Sequence, residues 1–146
     1  MNDQIKSWIL TLLQYGLALA LILLTPWFSK TPALLLIQIA GLALGIWAIF
    51  EMSRSKLNPA PLPRKGASLI TSGPYNLVRH PMYLALILYF FPVAIPQAKL
   101  TTLLILAVFT LNLIFKLLFE ERKLAMVFKR YELYQQKTWR LIPWVF

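Results

Sequence analysis

The sequence contains no cysteine, one histidine (His80) and one aspartate (Asp3). The lack of cysteine excludes disulfides, thiolate metal sites and thiol nucleophiles. One histidine without cysteine does not make an ordinary zinc site, although carboxylates are available as further ligands. A Ser-His-Asp triad is not expected, because Asp3 lies in the N-terminal tail. The chain also has no glycine-rich phosphate loop and no hydrolase serine elbow.

Acidic residues are scarce as well, with 5 Asp and Glu against 15 Lys and Arg, which gives a net charge of +10. The chain is 59% hydrophobic and its mean hydropathy is +0.65, above the range of soluble proteins. These values predict an integral membrane protein with a single domain, residues 1–146. The basic residues flank apolar runs, so we attribute them to membrane orientation and anionic membrane lipids, and not to nucleic acid.

Four apolar runs predict an all-α fold with four transmembrane helices, since one span needs about 20 residues. The predicted spans are about 7–26, 32–50, 81–97 and 100–119. The third run is short and contains Pro92 and Pro96, which are expected to end or kink its helix. The first run is long and has no clear cleavage site after it, so we expect a retained membrane anchor and not a signal peptide.

The distribution of charge predicts the orientation of a multi-pass protein. Most Lys and Arg residues lie in the loop 51–80 or after the fourth run, whereas the other side has only Lys30 and Lys99. The positive-inside rule therefore places both termini and this loop in the cytoplasm. The part of the loop at 58–74 is rich in proline and is predicted to be non-helical. A helical stripe of apolar residues predicts an interfacial amphipathic helix over about 120–137.

The unusual polar residues form three clusters, all on the predicted cytoplasmic side. The clusters are Tyr75, Arg79, His80 and Tyr83 at the entry to the third span, Glu120 and Glu121 at the end of the fourth, and Tyr131, Tyr134 and Arg140 in the tail. The third and fourth spans are joined by a short turn and must be antiparallel neighbours, so the first two clusters are expected to meet. Taken singly, each cluster fits a headgroup anchor, a helix cap, a helical ion pair or an aromatic belt. Their common location favours a functional site on the cytoplasmic face.

The stretch GPYNLVRHPMYLAL resembles the signature of integral membrane methyltransferases related to isoprenylcysteine carboxyl methyltransferase and phospholipid methyltransferases. In that family an Arg-His-Pro-x-Tyr motif is followed by a Glu-Glu pair and by a tail with spaced tyrosines, an arginine and Ile-Pro. The matching residues are Arg79, His80, Pro81, Tyr83, Glu120, Glu121, Tyr131, Tyr134, Arg140, Ile142 and Pro143. The resemblance covers about half of the chain, and Ala85 and Lys129 stand where the family often has glycine.

The resemblance implies S-adenosylmethionine as the cofactor, held by the last helical hairpin and the C-terminal segment. The residues that it implies for cofactor binding are Tyr75, Arg79, His80, Tyr83, Glu120, Glu121, Tyr131 and Tyr134. Glu120 or Glu121 would hold the ammonium of the cofactor. Arg79 or His80 would bind its carboxylate. In the transfer step, Glu121 would take a proton from an amine acceptor and Arg140 would orient a carboxylate acceptor.

The acceptor is expected to be lipophilic or a small molecule, and the sequence leaves its chemical class open. The short chain offers few walls for a large substrate, which leaves room for a homo-oligomer. A small four-helix transporter or a scaffold is the alternative from another class, but the polar groups crowd one end of the spans and leave their middle nearly bare. A sterol-reductase-like enzyme of similar architecture is a further alternative, against which the short chain counts.

Overall fold

The computed structural model describes residues 2–54 and 69–146, and these residues are helical apart from turns and short connections. The helices are α1 (Asp3–Leu24), α2 (Pro32–Ser53), α3 (Pro81–Ala94), α4 (Leu100–Val127) and α5 (Tyr131–Lys137). Short 3₁₀ turns at Gly73–Asn76 and Ile95–Gln97 precede and follow α3. The predicted all-α fold is confirmed for the described residues. Most of the predicted proline-rich loop at 58–74 lies outside them.

Three helices, α1, α2 and α4, are long and apolar enough to cross a membrane. The predicted third span corresponds to a shorter apolar helix, Pro81–Gln97, which includes the 3₁₀ turn. Pro92 lies inside α3, and the α-helix ends two residues after it. The membrane character of the chain therefore rests on three helices, and the fourth crossing stays a prediction.

The C-terminal half of the predicted topology has different bounds in the structure. The predicted span 100–119 belongs to α4, which continues without a break to Val127. No glycine or proline interrupts residues 120–127, and most of them are strong helix formers. At Phe128 the backbone becomes extended, with φ −107° and ψ 108°. The helix predicted over about 120–137 is thus divided between the end of α4 and the separate α5.

The helices pack as two pairs, α1 along α4 and α2 along α3, and these pairs meet between α3 and α4. Gly41 lets α2 approach α3 closely, because a Cβ atom there would lie 2.7 Å from Leu88 Cβ and 3.1 Å from the Ala85 carbonyl oxygen. Between α3 and α4, the rings of Phe90 and Phe109 meet edge to face at 5.2 Å. This core holds the start of α3 and the end of α4 side by side.

The interface between α1 and α4 contains polar side chains among the apolar ones. Gln14 is buried on α1, and its Oε1 accepts a hydrogen bond of 2.8 Å from Lys116 Nζ. Asn112 lies four residues before Lys116 and donates from Nδ2 to the Leu10 carbonyl oxygen at 3.1 Å. Interhelical hydrogen bonds of this kind hold helices together in an apolar solvent.

The C-terminal segment returns to the chain that precedes α3. Arg79 N donates to the Trp139 carbonyl oxygen at 2.7 Å, and Trp139 N donates to the Leu77 carbonyl oxygen at 3.1 Å. His80 N donates to the Arg140 carbonyl oxygen at 3.1 Å. An isolated parallel bridge between Val78 and Trp139 results. These backbone contacts place the tail beside the Arg-His motif.

Candidate functional site

The turn before α3 is built against the end of α2. Gly73 has a φ of 55°, and a Cβ atom there would lie 2.7 Å from Glu51 Cγ and 3.0 Å from Trp47 Nε1. Both the left-handed backbone and the close approach therefore require glycine. Ser72 Oγ donates to Glu51 Oε2 at 2.7 Å. This anchored turn fixes the direction in which the chain enters α3 and presents Arg79 toward α4.

A buried carboxylate, Glu121, lies between two guanidinium groups. Arg79 Nε donates to Glu121 Oε1 at 2.6 Å, and Arg140 Nε donates to Glu121 Oε2 at 3.0 Å. The Glu121 side chain is 5% exposed, whereas that of Arg140 is 37% exposed. Arg79 Nη1 also donates to the carbonyl oxygens of Gln135 and Thr138. Arg79 thus ties the start of α3, the end of α4 and α5 together, and Arg140 closes the group from the solvent side.

The neighbouring carboxylate, Glu120, has different partners and more room. Tyr83 Oη donates to its two oxygens at 2.7 and 2.8 Å. Its charged neighbours are further away, with His80 Nδ1 at 3.9 Å from Oε2 and Lys116 Nζ at 4.0 Å from Oε1. The Glu120 side chain is 22% exposed. The His80 and Tyr83 rings stack in parallel, with centroids 5.4 Å apart, and form one wall beside this carboxylate.

Three further tyrosines, Tyr75, Tyr131 and Tyr134, belong to the site. Tyr134 Oη donates to the Tyr75 carbonyl oxygen at 2.6 Å, and the Tyr131 and Tyr134 rings lie 5.9 Å apart. Burial, helped by the Glu120 charge, raises the pKa of Tyr75 to about 12. Burial also raises the pKa values of Tyr131 and Tyr134. All three phenols therefore stay protonated at physiological pH and remain hydrogen-bond donors.

Several buried polar atoms of the site have no hydrogen-bond partner among the described residues. They are Tyr75 Oη, Tyr131 Oη and His80 Nε2, the last at 3.5 Å from Glu121 Oε1. A buried polar group left unsatisfied costs about 1–3 kcal/mol, so a group of them calls for a ligand or bound water. Phenol donors and an imidazole beside a partly exposed carboxylate suit a ligand with ammonium, carboxylate and heterocyclic groups. The residues present therefore fit S-adenosylmethionine.

The structure brings together the predicted site residues of all three sequence clusters. We call this group the polar site, and its members are Tyr75, Arg79, His80, Tyr83, Glu120, Glu121, Tyr131, Tyr134 and Arg140. The predicted meeting of the Arg-His and Glu-Glu pairs is observed in the distances between them. The individual roles of these residues stay a proposal.

Sequence reasoning treats the pairing of Lys116 with Glu120 as an ordinary helical ion pair, and it missed two other contributors to the polar site. Gln14 reaches Lys116, and the Thr138 carbonyl oxygen accepts from Arg79. For Lys116 and Gln14 a signal existed, since each interrupts an otherwise apolar run. The acceptor role of Thr138 belongs to the backbone, and no residue pattern indicates it.

One of the comparisons with known proteins covers most of the chain. A family model described as phospholipid methyltransferase matches residues 13–131. No curated protein and no solved structure matches the chain. The matched range includes the Arg-His-Pro-x-Tyr motif and the Glu-Glu pair, and it ends at Tyr131, before Tyr134 and Arg140.

Proposed function

Because the chain belongs to the phospholipid methyltransferase family, we propose that it transfers a methyl group from S-adenosylmethionine to a lipophilic or small-molecule acceptor at the cytoplasmic membrane face. One observation carries this proposal: two adjacent carboxylates lie in separate surroundings within a single buried polar site. The membrane helices fit an acceptor that arrives from the bilayer.

The surroundings of the two glutamates divide their roles. Glu121 is neutralised by Arg79 and Arg140, so its oxygens are already engaged. Glu120 accepts from one neutral phenol, and its nearest ammonium is 4.0 Å away. We therefore assign the cationic amino-acid end of the cofactor to Glu120. Glu121 would organise the site, and the same neutralisation makes it a weak base for an amine acceptor.

The exposed position of Arg140 suits it for an anionic partner. Its Nε is used by Glu121, and its guanidinium carbon lies 5.1 Å from the Phe146 ring centroid. The Arg140 side chain is 37% exposed, so part of it is open to solvent. Arg140 would bind the carboxylate of the cofactor or of an acceptor. The buried Arg79 would instead hold the backbone at Gln135 and Thr138 in place.

Methyl transfer needs alignment more than covalent help. When bound, S-adenosylmethionine supplies a methyl group activated by a sulfonium. Glu120 would hold its ammonium and the tyrosines of the polar site would line its pocket, which would keep the cofactor in one orientation for transfer. The buried walls formed by His80, Tyr83 and Tyr131 would exclude water from this reaction.

Cofactor binding by purified protein in lipid nanodiscs tests the proposal. Isothermal titration with S-adenosylmethionine should show binding, and Glu120→Gln should weaken it by about tenfold or more, as the loss of a charge-assisted contact implies. Glu132→Gln is the matched control, because Glu132 is exposed on α5 and the charge change is the same. Folded protein that binds neither the cofactor nor its demethylated product would overturn the proposal. If the cofactor binds, mass spectrometry of membrane lipids after incubation with labelled cofactor identifies the acceptor.

A further inference from the structure

Lys116 is a buried cation on α4 that the sequence motifs of the polar site do not include. The residue is 7% exposed, and it lies four residues before Glu120 on the same helix face. Its Nζ is 2.8 Å from Gln14 Oε1, 4.0 Å from Glu120 Oε1 and 5.5 Å from the Tyr83 ring centroid. A charged residue inside an apolar helix is costly, so its presence there favours a functional role.

The position of Lys116 completes the surroundings of Glu120. Tyr83 Oη donates to both carboxylate oxygens, and His80 approaches Oε2 at 3.9 Å. Lys116 approaches the other oxygen, Oε1. At 4.0 Å its ammonium offsets the cost of burying the carboxylate without forming a short hydrogen bond to it. Glu120 is therefore held between α3 and α4 and still has an accessible side.

Gln14 determines where the Lys116 ammonium lies. A lysine side chain is flexible and carries three donors, so it takes the position that its acceptors allow. The buried Gln14 amide oxygen provides a fixed acceptor on α1 at 2.8 Å. Through this contact α1 reaches the polar site, although no predicted site residue lies on α1.

We propose that Lys116, held by Gln14, is a positioning residue that orients the Glu120 carboxylate toward the cationic end of the cofactor. This inference rests on the proposed function. A different explanation is that Gln14 and Lys116 only join α1 to α4. In that case the loss of Lys116 would lower stability but would leave cofactor affinity unchanged in the folded protein.

The same interface contains a matched control. Asn112 lies one helical turn from Lys116 and donates to the Leu10 carbonyl oxygen at 3.1 Å, so it also joins α4 to α1. Among the described residues, no hydrogen bond joins Asn112 to Glu120. Asn112→Leu should lower the melting temperature of the ligand-free protein and leave the Kd for S-adenosylmethionine unchanged.

The experiment measures Kd by isothermal titration and the ligand-free melting temperature for each variant in nanodiscs. Lys116→Met should weaken cofactor binding by about tenfold, and Lys116→Arg should restore most of it, because a cation again faces Glu120. Gln14→Leu should weaken binding in the same direction. The double variant should bind no more weakly than Lys116→Met alone, since the two residues act through one contact.

The outcomes separate the two proposals. Wild-type protein that binds no cofactor contradicts the proposed function itself. If the wild type binds the cofactor and Lys116→Met binds it with the same affinity, the positioning role alone is overturned. The same holds if Asn112→Leu loses as much affinity as Lys116→Met. If Lys116→Met does not fold, Gln14→Leu decides the question, and unchanged affinity there overturns the proposal.

Discussion

Two consecutive glutamates on α4 lie in surroundings that differ more than their positions in the sequence suggest. One hundred degrees of helical rotation separates consecutive side chains. Glu121 therefore points toward Arg79 and Arg140, whereas Glu120 points toward Tyr83 and Lys116. The contacts of Glu121 hold three parts of the chain together. The contacts of Glu120 leave one side of its carboxylate accessible. At this scale the Glu-Glu pair combines a structural group and a candidate ligand group.

The contacts of Arg79 predict a structural penalty for its removal. Arg79→Met deletes a buried ion pair and the hydrogen bonds to two carbonyl oxygens, so we expect a loss of about 3 kcal/mol in stability. Arg79→Lys should recover only part of it, because an ammonium lacks the planar fork of donors. Thermal unfolding in detergent measures the effect. Arg54→Met is the control, since the Arg54 side chain is 66% exposed and lies 3.8 Å from Glu51, so its loss should change the melting temperature little. Equal effects of both methionine variants would contradict this account of Arg79.

At the scale of the elements, close packing of α2 on α3 supports the entry to the polar site. Gly45 lies one turn after Gly41, and a Cβ atom there would meet Ala85 Cβ at 3.3 Å. Ala85, which stands where the resembling family often has glycine, therefore packs toward α2. Because α3 begins at the Arg-His motif, a shift of α3 against α2 would also displace that motif.

Glycine substitutions test this packing. Gly41→Ala should destabilise the protein by about 1–3 kcal/mol, because the new Cβ atom would lie 2.7 Å from Leu88 Cβ and the helices must separate. Gly16→Ala is the matched control, since nothing lies within 4 Å of a Cβ atom there. It should leave stability unchanged or raise it, as alanine favours helix over glycine. The melting temperatures of the two variants give the comparison, and a Gly41→Ala variant as stable as wild type would contradict close α2–α3 packing.

For the whole molecule, the sequence predicts the helices and the meeting of the polar clusters better than the connections between them. Apolar runs and charge locate the helices, and the turn between α3 and α4 implies that Arg79 and Glu121 meet. The pairing of Trp139 with the chain before α3 is carried by backbone atoms, so no side-chain pattern predicts it. The contact between Gln14 and Lys116 joins residues far apart in the sequence and depends on how α1 packs on α4. Such contacts require the tertiary structure.

The length of α3 makes the number of crossings the main question about the whole molecule. Its 14 α-helical residues extend roughly 21 Å, and the three residues of the following 3₁₀ turn add about 6 Å, so the two together remain shorter than the hydrocarbon thickness of about 30 Å. The bilayer can thin locally around a short helix at modest cost, so we expect four crossings with both termini in the cytoplasm. Four crossings place Lys30, between α1 and α2, and Lys99, between α3 and α4, on the same outer side.

The absence of cysteine permits a direct test of this topology, because every introduced thiol is the only one in the chain. In intact cells, a membrane-impermeant maleimide should label Lys30→Cys and Lys99→Cys. It should label Glu132→Cys, on the exposed face of α5, only after the cells are opened. A permeant maleimide applied to each variant checks that the thiol is reactive. If α3 does not cross, Lys30→Cys would still be labelled in intact cells, but Lys99→Cys would be labelled only in opened cells. The chain would then have an odd number of crossings. The end of α4 would then lie on the outer side and the end of α2 in the cytoplasm. That arrangement would contradict the contact between Glu121 on α4 and Arg79, which follows the turn that packs on the end of α2, so the same experiment also tests the assembly of the polar site.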